Sequence, residues 1–132
     1  MKEPVERLPE AELDIMMVLW KAEQPLTVSE IVGILSGSGV RSWKTATAHV
    51  LLDRLCERGF ADKDTSTFAH RYFPIISEEA YSTREARSFL ARFCGGSVKK
   101  MVAMMIDGDG VDEEELRELR ALLNGSGSTK EE

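Results

Sequence analysis

The stretch Ser42-Trp-Lys-Thr-Ala-Thr-Ala-His-Val-Leu-Leu-Asp-Arg-Leu-Cys-Glu-Arg-Gly-Phe60 reads as a helix with two unlike faces. Val50, Leu51 and Leu55 make an apolar stripe at helical spacing, with Ala48 and Leu52 beside it. Lys44, Thr45, Thr47, His49, Asp53 and Arg54 lie mostly off that stripe. Ser42 is placed to cap the start, and Gly59 stands where a helix ends in a left-handed residue. The first turns thus hold short or cationic side chains that can approach phosphates and base edges. Two strand-like segments follow, Phe60–Asp64 and Phe68–Phe73, joined by Thr65-Ser66-Thr67. A helix ahead of such a hairpin is what a winged helix-turn-helix presents to a DNA major groove.

Upstream, Pro9 with Glu10 and Glu12 marks a helix start, proline in the first turn and acids at the positive dipole end. Leu13, Met16, Met17 and Trp20 recur at helical spacing, so a helix over about Glu10–Ala22 is expected to bury that face. Thr27-Val-Ser-Glu30 is a capping box, and the helix it opens, about Val28–Ser36, would bury Val28, Ile31, Val32 and Leu35. Ser36-Gly-Ser-Gly39 breaks it. Three short helices and a hairpin give a winged helix-turn-helix over residues 1–74, with Trp43–Arg58 as its reading helix and Trp43 as a core anchor.

Downstream, helices are expected over Ser77–Cys94, Ser97–Ile106 and Glu113–Leu123, with Gly95-Gly96 as a stop and Asp112 with Glu115 as a capping pair. Their apolar faces are too wide for the first domain to cover. Phe89, Leu90, Phe93, Val98, Met101, Val102, Met105, Leu116, Leu119 and Leu122 are therefore the candidate dimer contact, burying residues 75–123 against a second copy. Residues 124–132, made of Gly, Ser and charge, read as a disordered tail. The fold class is thus mainly α: an N-terminal winged helix-turn-helix followed by a C-terminal helical dimerisation segment.

The chain has 132 residues, a net charge of −6 and 42% hydrophobic residues, values ordinary for a globular protein and unlike a general polyanion binder. The charge is unevenly placed. Arg41, Lys44, Arg54, Arg58, Lys63 and Arg71 outnumber Asp53, Glu57, Asp62 and Asp64 in the reading helix and hairpin, whereas acids dominate Val111–Leu123. That asymmetry fits a local footprint for double-stranded DNA on an acidic protein. No apolar run reaches the roughly 20 residues of a membrane span and no signal peptide opens the chain, so a cytoplasmic, non-membrane protein is expected. Cys56 and Cys94 form no Cys-x-x-Cys or Cys/His cluster and read as small apolar residues on helix faces. No Ser/His/Asp, metal-ligand or phosphate-loop constellation occurs, so neither catalysis nor a cofactor is expected.

The order Leu8-Pro-Glu-Ala-Glu-Leu-Asp-Ile-Met-Met-Val-Leu-Trp20, Leu26-Thr-Val-Ser-Glu-Ile31, Trp43 through Arg54-Leu-Cys-Glu-Arg-Gly-Phe60 and Arg71-Tyr-Phe-Pro74 resembles the penicillinase-repressor family. Phe93-Cys-Gly-Gly-Ser-Val98 and Glu113-Glu-Glu-Leu-Arg-Glu-Leu119 extend the resemblance over about residues 8–123. It implies a homodimeric winged-helix repressor on a pseudo-palindromic operator, joined through its C-terminal helices. By position, Lys44, Thr45 and Thr47 would lie in the recognition region, Arg54 nearer its buried end, and Ala61–Pro74 would be the wing. Two departures stand out. Antibiotic-response members are cut at an Asn-Phe bond in the penultimate helix, where this chain has Met104-Met105, which argues against release by a partner protease through that cut. Copper-responsive members carry paired Cys-x-Cys motifs near the C-terminus, and this tail has no cysteine. A sensor partner of another kind stays open.

The residues expected at DNA are Arg41, Ser42, Lys44, Thr45, Thr47, His49 and Arg54, with Lys63 and Arg71 from the wing. Arg54 and Arg58 have a second reading as partners of acidic side chains. Two alternatives compete with the repressor: a winged-helix module that binds protein and not DNA, and a redox- or metal-gated variant in which Cys56, Cys94, His49 and His70 converge through the fold or across a dimer.

Overall fold

The computed structural model describes residues 7–38, 42–108 and 110–130, with side chains described through 125. Two compact units divide the chain, Met1–Glu85 and Ala86–Glu132. In the first, the order is α1 (Glu10–Lys21), β1 (Leu26–Thr27), α2 (Val28–Gly37), α3 (Thr45–Glu57), β2 (Ala61–Asp64) and β3 (Arg71–Pro74), followed by the opening turns of α4 (Glu78–Cys94). The strands form an antiparallel sheet in the order β1-β3-β2, with Leu26 opposite Tyr72 and Asp64 opposite Arg71. Ile15, Met16, Leu19, Ile31, Leu52, Leu55, Phe60 and Tyr72 make up its buried centre. Three helices, a small sheet and a projecting β2–β3 hairpin are the expected winged helix-turn-helix.

Local signals account for most boundaries. The capping box at α2 is complete: the Glu30 N–H donates to Thr27 Oγ1 at 3.2 Å and the Thr27 N–H to Glu30 Oε1 at 2.9 Å. Helix α3 ends at a left-handed Gly59, φ 86°, whose N–H reaches the Cys56 carbonyl while that of Phe60 reaches Leu55 at 2.9 Å. A Cβ at Gly59 would meet the strain of that conformation, so Gly59→Ala is expected to lower stability by about 1–2 kcal/mol, read by urea denaturation. An unchanged midpoint would show that the turn relaxes to another geometry.

In four places the first unit departs from the sequence expectations. Helix α1 buries Glu12, Ile15, Met16 and Leu19, a face turned by about one residue from the expected Leu13, Met16, Met17 and Trp20. Apolar side chains occupy nearly every position from 13 to 20, so periodicity alone could not orient it. Helix α3 starts at Thr45 with Lys44 in extended conformation before it, and Ser42 does not cap it. Buried Trp43 anchors the chain just ahead of that start. Val50 is exposed, the buried stripe being Ala48, Leu52 and Leu55. The hairpin loop runs from 65 to 70, longer than Thr65–Thr67, because the pairing of Asp64 with Arg71 excludes Phe68 from the strand. The two-residue strand β1 was not anticipated.

The first unit extends past Pro74 because Tyr81 of α4 is part of its core. Its ring packs 5.7 Å from Trp20 and 6.0 Å from Phe60, and its hydroxyl accepts the Leu8 N–H at 2.9 Å. The second unit comprises the rest of α4, α5 (Val98–Asp107) and α6 (Glu113–Lys130). Left-handed Gly95 and Gly96 stop α4 as expected, Ser97 caps α5, and Asp112 accepts the Glu115 N–H at 2.8 Å ahead of α6. Helix α6 continues to Lys130, past the Leu123 end and into the stretch expected to be disordered. No proline interrupts it, and glycine costs a helix only about 1 kcal/mol each. Within 86–125, Cys94 alone is buried among the described residues. No helix among the described residues is long and apolar enough to cross a membrane.

Candidate nucleic-acid interface

Three elements of the first unit bring their polar side chains to one surface. The buried stripe of α3 holds the helix against α1 and α2, which turns the opposite side outward. Ser42, Lys44, Thr45, Thr47 and His49 are all exposed there, as the sequence suggested; Arg41 lies outside the described residues. The start of α2 and the hairpin loop adjoin α3 in a cleft of about 400 Å³ lined by Thr27, Val28, Ser29, Thr45, His49, Phe68, Ala69 and His70. Both histidines thus reach one cleft, together with three hydroxyls and the amino end of α2. Phe68 is fully exposed on the wing loop.

The cations expected at this surface fare differently. Lys44 and Lys63 are exposed. Arg71 stands 3.8 Å from Glu30, an exposed pair that weakens its field without removing it. Arg54 is directed toward α1, its Nη1 3.9 Å from the Glu12 carboxylate, which Arg58 also meets at 3.1 Å. Glu12 is 1% exposed, so it is a buried charge that these two guanidiniums compensate. The alternative pairing of Arg54 and Arg58 with an acid elsewhere is therefore the geometry observed. From sequence Glu12 reads as a dipole acid; its spacing to Ile15, Met16 and Leu19 is the signal that it lies on the inner face. In the wing, Asp62 and Asp64 offset Lys63 and Arg71. The Ser66 hydroxyl and backbone N–H hold the Asp64 carboxyl below the usual carboxylate range, so it remains an anion.

Cys56 does not line that cleft. Burial, aided by Asp62 and Asp53, pushes the half-buried Cys56 thiol up, which keeps it protonated and a poor nucleophile. Cys94, in the second unit, has its Sγ 3.8 Å from Met104 Sδ. Among the described residues no group of three or more His, Cys, Asp or Glu is placed to hold a metal ion.

The penicillinase repressor family matches residues 8–125. The chain belongs to that family. A penicillinase repressor of Bacillus licheniformis is 29% identical over 128 residues, 97% of this chain and 98% of that protein. The methicillin resistance regulatory protein MecI of Mammaliicoccus sciuri is 22% identical over 114 residues, 86% of this chain and 90% of that protein. Among solved structures, the DNA binding domain of the repressor BlaI aligns at a TM-score of 0.50 and 26% identity, covering 61% of this chain and 94% of that one. α3 and the β2–β3 hairpin are thus the third helix and the wing of a penicillinase-repressor winged helix.

Proposed function

We propose that this protein is a cytoplasmic, sequence-specific DNA-binding repressor that acts as a homodimer on a pseudo-palindromic operator, with no catalytic step. The observation that carries the reading is the outward side of α3 in a repressor-family fold. Ser42, Lys44, Thr45, Thr47 and His49 stand exposed on the same unit as the wing. The amino-terminal turns of α3 enter the major groove, where the threonine hydroxyls reach base edges, while Lys44 and the wing's Lys63 and Arg71 contact backbone phosphates. Asp53 and Glu57 occupy the outer side farther along α3 and repel phosphate, which confines entry to its first turns. The BlaI domain it resembles is named as DNA-binding, which supports the same use of this fold.

The second unit supports the dimer. Phe93, Val98, Met105 and Leu122 are more than half exposed, and Leu90, Met101, Val102, Leu116 and Leu119 are only half-buried. A helical segment with a single buried side chain gains too little from burial to offset its ordering entropy, and a second copy supplies the missing cover. Both residues of the Met104-Met105 pair stand exposed in α5, in place of the Asn-Phe bond, so derepression through a protease partner would need a different cut.

Fluorescence anisotropy of a labelled duplex from the gene's upstream region, titrated at several salt concentrations beside a scrambled duplex, tests the reading. Preferential, salt-sensitive binding that saturates at one dimer per site is expected. A genome-wide search for bound sites that comes up empty would favour the protein-binding module instead. Within the same assay, Lys44→Ala should weaken binding and reduce the log–log salt slope by about 0.9, the share of one phosphate contact. An unaltered slope would remove Lys44 from the phosphate contacts.

A further inference from the structure

We propose that α3 reads its operator through thymine 5-methyl groups packed against Ala46 and Val50, in place of bidentate hydrogen bonds to purines; this rests on the DNA-binding reading above. Ala46 and Val50 lie one turn apart on the side of α3 opposite buried Ala48, Leu52 and Leu55. Both are exposed, Val50 at 52%. A lone exposed valine needs no explanation. This one sits at the centre of the face that meets DNA, one turn beyond another apolar side chain and next to His49.

The chemistry available on α3 narrows the readout further. Bidentate recognition of guanine or adenine needs Arg, Lys, Asn or Gln. Thr45–Glu57 contains one residue of those types, Arg54, and its guanidinium is 3.9 Å from the buried Glu12 carboxylate. Drawing Arg54 to a base would leave that carboxylate with less compensation. Asp53 can only accept, from the amino group of cytosine or adenine, and the threonine hydroxyls discriminate weakly. On the major-groove edges, the one methyl group belongs to thymine, and a branched aliphatic side chain is its natural contact. The helix is therefore equipped to select thymines by apolar contact while its flanking cations hold the backbone.

The test selects duplexes from a random pool with the full-length protein, then replaces each thymidine of the enriched site by deoxyuridine, which deletes only the methyl. One or two positions per half-site are expected to lose about fourfold in affinity, the factor that one buried methyl supplies. Val50→Ala should bind the thymine site more weakly and show little further loss on the same uracil replacements, with its melting temperature unchanged because Val50 is exposed. Val50→Thr, which keeps the branched shape and one methyl, should fall between the two. Uracil penalties that are absent, or equal in wild type and Val50→Ala, would overturn the inference and leave DNA binding intact. Failure of the pool to enrich any duplex would overturn the DNA-binding reading and this inference with it.

Discussion

A chain ending at Glu85 is expected to fold, to run as a monomer and to bind its operator about 10²- to 10⁴-fold more weakly than the full protein, the range lost when linked binding events become independent. The cut falls at the boundary of the first compact unit, so Tyr81 and the core it completes are retained. What is removed is the segment in which Cys94 alone is fully buried among the described residues. Light scattering after size exclusion gives the mass, and anisotropy on the selected duplex gives the affinity. In the full-length protein, Phe93→Asp combined with Met105→Asp should produce the same monomer, because each puts an unpaired charge on an exposed apolar helix face. A truncated protein that stays dimeric, with affinity undiminished, would show that the dimer contact lies in the first unit.

The second large effect concerns Tyr81, which ties α4 to the winged domain. Tyr81→Ala should lower the unfolding free energy by about 3–5 kcal/mol, the range for removing a buried aromatic ring. Trp20 and Phe60 lose a packing partner, and the Leu8 N–H loses its acceptor. Tyr81→Phe keeps the ring and forfeits only the hydrogen bond, about 1 kcal/mol. Urea denaturation distinguishes the two; equal losses would mean that the hydroxyl, not the ring, holds the contact. Burial raises the pKa of Tyr81, as it does that of Tyr72. Since an unfolded phenol ionises near pH ~10, the stability these groups contribute is complete below about that pH and is lost as pH rises through their higher folded values. The alkaline arm of the stability curve should accordingly be shallower in Tyr81→Phe.

The parts of the interface legible in the sequence were those set by neighbours close along the chain. The polar residues at the start of α3 were found because a helix separates its faces by residue spacing, and they are exposed as expected. Likeness to repressor motifs implies the pseudo-palindromic operator, which composition and periodicity do not, whereas the expectation of a second copy already follows from the wide apolar faces of the C-terminal helices. Arg54 carries two readings for a physical reason: an arginine on a helix such as α3 has the same sequence signature whether it faces a base or a buried acid two helices away. Val50 was assigned to the apolar stripe because α3 carries more aliphatic residues than its inner face can hold, and spacing cannot say which one is left out.

By itself, then, the sequence determined the order of helices and hairpin, the capping box at Thr27–Glu30, the left-handed stop at Gly59 and the double-glycine break after Cys94. Each depends on hydrogen bonds or φ values within a few residues. Contacts between elements settle which side of α1 is buried, that Glu12 lies inside with Arg58 and Arg54 on it, that Phe68 leaves the strand, and that Tyr81 belongs to the winged domain's core. Those outcomes depend on groups far apart in the chain, such as Glu12 with Arg58 and Leu8 with Tyr81. Their energies come from desolvation and packing between elements, which no local pattern records.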